Sequence, residues 1–220
     1  MKFTYFTLLC VLFLASCNEH KTLPNVAKYD ETAVIAEQQK HQNPRMRFTS
    51  IQSKYTDLNT IFLPFQDDLS SFSNAEYERL KPYILEKSIP ELQAYIAANE
   101  LTYESLVKFY LYRIWNFEKD STKSLQAIIA LNSNVIQEAK QRDKNRKHSK
   151  KQSPLYGMPI LLKDNIDFIG MPTTAGAAVL ASHYPSENAF IVDKLLSKGA
   201  LILGKTNLSE WAYFFVKVVR

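Results

Sequence analysis

Between Thr102 and Phe117 apolar residues recur at helical spacing. Leu106, Tyr110, Ile114 and Phe117 form a stripe that Val107 and Leu111 widen, and Thr102 stands where an N-cap belongs. The aromatic residues of this stripe read as core. Upstream, Phe48 to Asn99 carries helical patterning interrupted by Pro64, Pro82 and Pro90. Asn74 is placed to cap a helix through Tyr77, Leu80 and Ile84, and Ile89-Pro90-Glu91-Leu92 restarts one with proline in its first turn. From Leu125 the period shortens. Ala127–Leu131 is a short apolar strand. Asn134, with Gln137 three residues on, opens a helix through Val135, Ile136 and Ala139. Ile160–Leu162 is a second strand. A helix capped by Asn188 follows, with Ile191, Val192, Leu195 and Leu196 on one face and Gly199 at its end; Ala200–Leu203 is a third strand.

Strands alternating with helices predict an α/β layer, and strands that are apolar throughout predict a sheet covered on both faces. Reactive groups in such sheets gather at the C-terminal ends of strands, where Lys163 and Lys205 stand. Residues 18–47 are polar and read as a tether with one short helix around Glu31–Lys40. No internal repeat appears.

Composition adds two facts. With 46% hydrophobic and 12% aromatic residues in 220, the chain can bury a core. The net charge of +5 comes from one tract: residues 140–151 carry seven lysines and arginines against Asp143 alone, and the remainder is close to neutral. The tract holds no aromatic residue, so it reads as a solvated helix end and loop, not as a nucleic-acid surface. The N-terminus reads as a targeting segment. Lys2 precedes an apolar run, Leu8–Leu14, and Leu14-Ala15-Ser16-Cys17 sets small residues directly before a cysteine. The apolar run is shorter than the roughly 20 residues that span a bilayer. The segment resembles a bacterial lipoprotein signal, which implies cleavage before Cys17, lipid on its thiol and a location at the cell envelope. The alternative is an ordinary secretion signal with an incidental cysteine. Processing would remove Cys10 and acylate Cys17, leaving no free thiol among the chain's two cysteines.

The candidate chemistry centres on Pro159-Ile160-Leu161-Leu162-Lys163-Asp164-Asn165. A lysine at the end of a buried strand reaches solvent, finds a partner or loses its proton, and the last outcome makes it a base. Pro154-Leu155-Tyr156-Gly157-Met158-Pro159 before it, Met171-Pro172-Thr173-Thr174-Ala175-Gly176 after it, and Gly204-Lys205-Thr206-Asn207-Leu208-Ser209-Glu210 beyond resemble the amidase signature family. The resemblance covers about residues 101–211. It implies the N-terminal part of that α/β fold, a mixed sheet flanked by helices, preceded here by a helical extension. It also implies hydrolysis of carboxamide C–N bonds by a Ser–cis-Ser–Lys triad, with small amides as substrates and no cofactor or metal. By the resemblance Lys163 is the catalytic lysine. Asp164, Asn165, Thr173, Thr174, Gly176 and Asn207 support it, and Lys205, Thr206 and Glu210 belong to a supporting block.

One departure shapes the expectation. The family's Gly/Ser-rich segment, which carries both serines, lies downstream of the block containing Trp211. Here Phe215-Val216-Lys217-Val218-Val219-Arg220 departs from the family, and no Gly/Ser-rich loop occurs in the 220 residues. Ser209 lacks glycine neighbours, and Ser182 beside His183 is a poor dyad because sequence neighbours seldom face each other. The expected organisation is a signal peptide over 1–16, a tether over 17–47, the helical extension over 48–100, the N-terminal part of an amidase domain over 101–214 and a divergent tail over 215–220. The expected product is an amidase fragment, interrupted and inactive as it stands. The alternative is a non-enzymatic envelope lipoprotein that binds a partner through the extension.

Overall fold

A computed structural model describes residues 23–27, 30, 32–47, 57–146 and 152–212. The signal-peptide region, Cys17, the start of the extension and the tail after Ala212 lie outside the described residues. Eight helices of five or more residues are described: α1 (Thr32–Gln39), α2 (Leu58–Phe62), α3 (Gln66–Ser70), α4 (Asn74–Ile84), α5 (Ile89–Ala97), α6 (Tyr103–Glu118), α7 (Val135–Arg146) and α8 (Phe190–Ser197). The three described strands are β1 (Ile128–Leu131), β2 (Pro159–Lys163) and β3 (Leu201–Thr206). α1 falls within the span expected for the tether's helix.

Local chemistry accounts for most boundaries. Thr102 caps α6 and accepts from the Ser105 N–H, while the Ser105 hydroxyl accepts from the Thr102 N–H. Asp143, reaching over from α7, accepts from the N–H groups of Tyr103 and Glu104 and so satisfies two more donors at the same helix end. Ser73, not Asn74, caps α4, accepting from the Glu76 N–H at 3.1 Å. Pro82 lies inside α4 without ending it, and Pro64 sits in the 3₁₀ turn that joins α2 to α3. The turn into α7 is made by Asn132, whose side chain accepts from the Asn134 N–H. α8 begins after Ala189. Asn188 instead accepts from the Ile169 N–H and donates to Asp193. The helix closes with Ala200 N–H on the Leu195 carbonyl and Gly199 N–H on that of Leu196.

The stripe expected on α6 is rotated. Tyr103, Leu106, Val107, Phe109, Leu111 and Trp115 are buried, Tyr110 and Ile114 are half-covered, and Phe117 is 43% exposed. The helix packs on its Val107–Leu111–Trp115 side because α3, α4 and α7 meet it there. Trp115 takes Phe62 edge-on at 5.2 Å, and Phe109 stacks on Tyr77 at 4.6 Å.

The strand order is β1-β3-β2, with β3 antiparallel to β1 and parallel to β2. β3 is buried from Leu201 to Lys205. Leu201 and Leu203 join the large core formed with α2–α7, while Ile202 joins Leu162 and Val192 in a smaller core under α8. Only β3 meets the expectation of strands covered on both faces. β2 is an edge among the described residues, with Leu161 38% exposed. The extension is part of the main core: Phe62, Phe65, Leu80 and Ile84 belong to the same cluster as Leu106, Trp115 and Leu201. The basic tract is also less solvated than expected. Lys140 pairs with Asp68, Arg142 donates to the Gly199 carbonyl, and Arg146 reaches the Ile96 carbonyl and Asn99.

Tyr103 joins these layers. Its hydroxyl donates to Gln93 of α5 at 3.0 Å, and Gln93 donates to the carbonyls of Pro154 and Tyr156. Burial pushes the Tyr103 phenol up to about 12. Its ordinary value is 10.0. The unfolded chain therefore loses this proton first, and stability falls as pH rises through the interval between the two values. Urea titrations across that interval will show a steeper loss for the native sequence than for Tyr103→Phe.

Candidate active site

β2 and β3 run parallel, so their C-terminal ends lie side by side, with Leu162 opposite Lys205 and Lys163 opposite Thr206. The pairing has one irregularity. Ile160 stands opposite Ile202 but Leu161 stands opposite Gly204, so Leu203 is an extra residue on β3. Because side chains alternate, one extra residue inverts the faces that follow. Lys205 would otherwise share the face of Leu201 and Leu203, inside the helical core. The bulge turns it to the side of Leu162. Gly204 permits this: a Cβ there would lie 2.4 Å from the Ala130 carbonyl of β1.

On that side Lys205 is completely buried. Its ammonium donates to the carbonyls of Ile166 (2.7 Å) and Pro172 (3.3 Å) and to the Thr173 hydroxyl (3.0 Å). All three N–H groups of an ammonium are thus engaged with neutral oxygens. Asp164, equally buried, supplies the counter-charge, its Oδ1 lying 3.7 Å from Nζ. Burial lowers the Lys205 pKa, and the Asp164 carboxylate opposes the shift.

Asp164 also organises the loop beyond. Its N–H continues the ladder to the Thr206 carbonyl. Its Oδ2 accepts from both the N–H and the hydroxyl of Thr174, and its carbonyl accepts from the Ala175 N–H. Thr174 Oγ1 in turn accepts from the Gly176 N–H. Ala175 is held at φ 49°, a strained position for alanine, and its carbonyl accepts from the Trp211 N–H at 2.8 Å. Gly176 is required here because a Cβ would lie 2.5 Å from the Leu208 carbonyl. The buried Lys205–Asp164 pair therefore fixes β2, the Thr173–Gly176 loop and the segment after β3 as one unit.

The structure brings Asp164, Thr173, Thr174 and Gly176 together, as expected of supporting residues. It does not bring Asn207 to them. That side chain donates to the Gln126 carbonyl, and its N–H donates to that of Ala127, so Asn207 ties β3 to the start of β1. Asn165 is exposed in the turn closed by Ile166 N–H on the Lys163 carbonyl. Lys163 differs from the expectation of a buried amine: it is the last residue of β2, on the edge strand, and is exposed to solvent. The buried lysine is Lys205. Its position was visible in the sequence, a charge within an apolar run, by the same reasoning that selected Lys163. Ser209 and Ser182 are exposed and stand outside the Lys205–Asp164 cluster, and the His183 carbonyl is taken by the Thr173 N–H. Among the described residues no group of three His, Cys, Asp or Glu side chains could hold a metal.

The amidase family model matches residues 105–217, just over half of the chain and all of the sheet. This chain belongs to the amidase family. Its fold resembles that of an amidase family protein from Bacillus anthracis, with 32% identity and a TM-score of 0.65 over 74% of this chain and 32% of that one. In sequence it is 35% identical over 126 residues to a glutamyl-tRNA(Gln) amidotransferase of Thermoanaerobacter pseudethanolicus, covering 57% of this chain and 25% of the relative. It is 32% identical over 132 residues to the mandelamide hydrolase of Pseudomonas putida, covering 60% and 25%. The chain thus spans about a quarter of the length of these curated relatives.

The two lysines of this amidase-family sheet make different demands on stability. Lys205→Met leaves Asp164 buried without a counter-charge and is expected to cost about 3–5 kcal/mol. Lys163→Met, at an exposed site, is expected to change stability by no more than about 0.5 kcal/mol. Urea denaturation of the two variants measures the contrast.

Proposed function

We propose that residues 101–212 supply the lysine half of a carboxamide hydrolase site. Lys163 is the base that draws the proton from a serine hydroxyl through a second serine, so that the first serine can attack the amide carbonyl. The observation that carries this reading is the division of labour between the two strand-end lysines. Lys205 has all three N–H groups engaged and a carboxylate beside it, so it serves as a fixed cation. Lys163 projects from the same rigid strand end with its amine exposed. A base must exchange protons with a substrate-linked group, and only the second lysine is open to one. In the complete site burial of Lys163 would favour its neutral form.

No Gly/Ser-rich loop occurs in these 220 residues. They therefore contribute the proton acceptor and its support, and turn over no amide by themselves. The reading of the extension as an independent binding module gains nothing from the structure, since its aromatic residues share the core of the sheet. The leader is read as a lipoprotein signal, with lipid on Cys17 placing the protein at a bacterial membrane surface.

A chimera tests the catalytic reading. Residues 105–212 are exchanged for the matching segment of the mandelamide hydrolase, and mandelamide turnover is measured. Turnover is expected to persist and to fall on the order of 10²–10⁴-fold with Lys163→Ala. A folded chimera whose turnover is unaffected by Lys163→Ala would show that the base lies elsewhere.

A further inference from the structure

The polar N-terminal segment does not run loose from the expected lipid site to the extension. Leu23 is buried in the main core. Its N–H donates to Gln66 Oε1 of α3 at 2.7 Å. Three residues on, the Val26 N–H donates to Asn59 Oδ1 of α2 at 2.9 Å, and Asn59 Nδ2 donates back to the Val26 carbonyl at 2.9 Å. Two side chains of α2–α3, seven positions apart, thus clamp the segment along the turn that joins them.

This clamp shortens the leash. A free tether from Cys17 to residue 47 would have a root-mean-square span of about 30 Å and a full extension of about 100 Å. Only five residues separate Cys17 from Leu23. Their covalent reach is at most about 20 Å, whereas a globule of this length is roughly 40 Å across. A leash shorter than the body it holds cannot present every face of that body to the membrane.

We infer that, once Cys17 carries lipid, the α2–α3 turn is the face held against the bilayer and the sheet end with Lys163 is directed away from it. The occupant of this face is a lipid surface. The turn carries Leu63, 68% exposed, and Pro64, also exposed, so an apolar tip lies where the chain leaves the fold. α2 packs against β1, and β2 is the opposite edge of the sheet with β3 between them. The loop anchored on β2, including Val179 at 79% exposure, therefore belongs to the far side. Acyl chains supply the attachment and the clamp supplies the orientation. This inference rests on the lipoprotein reading above.

The test uses the full chain, exported and processed in a bacterial host, carrying a fluorophore at Leu63→Cys or at Val179→Cys and placed in phosphatidylcholine vesicles with a headgroup-attached nitroxide quencher. With Cys10 removed and Cys17 acylated, the introduced thiol is the one that labels. Incorporation of an alkyne-bearing fatty acid that is lost with Cys17→Ser reports the lipid itself. The expected result is quenching at least threefold stronger at Leu63→Cys than at Val179→Cys, with the ratio falling toward one when Asn59→Ala and Gln66→Ala release the segment. Slow amide exchange at Leu23 and Val26 in the Cys17→Ser chain is expected as well. Fatty-acid incorporation with equal quenching at the two sites overturns the orientation and leaves the lipid reading standing. Absence of incorporation removes the lipid reading and the orientation with it. Rapid exchange at Leu23 and Val26 overturns the clamp.

Discussion

A buried ammonium and a buried carboxylate, Lys205 and Asp164, hold the candidate site together. Neither could be buried alone, because an isolated charge in a protein interior is strongly unfavourable. Together they satisfy each other only in part. The lysine's hydrogen bonds go to two carbonyls and a hydroxyl, and one carboxylate oxygen receives no hydrogen bond among the described residues. The arrangement is better understood as a constraint on shape than as a source of stability, since a well-packed apolar pair often serves stability equally well. What an apolar pair could not do is fix Ile166, Pro172, Thr173 and Thr174 in one relative geometry through directed bonds.

The helical layer gives this constraint a rigid base. α6 and α7 pack on each other and α7 packs on β3, while Asp143 of α7 completes the capping of α6. The extension adds its aromatic side chains to the same core and braces the segment before β2 through Gln93. Sheet, extension and loop therefore respond as one body to a change in any of them, which is the condition under which a strained residue such as Ala175 persists.

Much of this was legible along the chain. The three strands and the two helices between them follow from apolar periodicity, and the family resemblance selected Asp164, Thr173, Thr174 and Gly176, which do converge. What periodicity could not resolve was which side of an element is buried. α6 is apolar over more than half its circumference, so its buried axis depends on where α3, α4 and α7 lie. Caps misplaced by one residue, Ser73 for Asn74 and Ala189 for Asn188, reflect neighbouring residues that are nearly equal as caps until the turn is built. Lys163 and Lys205 looked alike in sequence because each follows an apolar run. Only strand order separates them, placing one on an edge and the other at the centre.

The extra residue at Leu203 divides a strand that reads as a single apolar run into two halves with opposite outlooks. Its first half is written in the language of cores and its second in the language of sites, and no change of composition marks the border. A family that keeps this irregularity can vary the apolar residues before it with little effect on the chemistry after it. The same residue makes the strand intolerant of changes in length: losing one position between Leu201 and Lys205 would aim a cation into the helical core and leave its partner carboxylate facing a leucine.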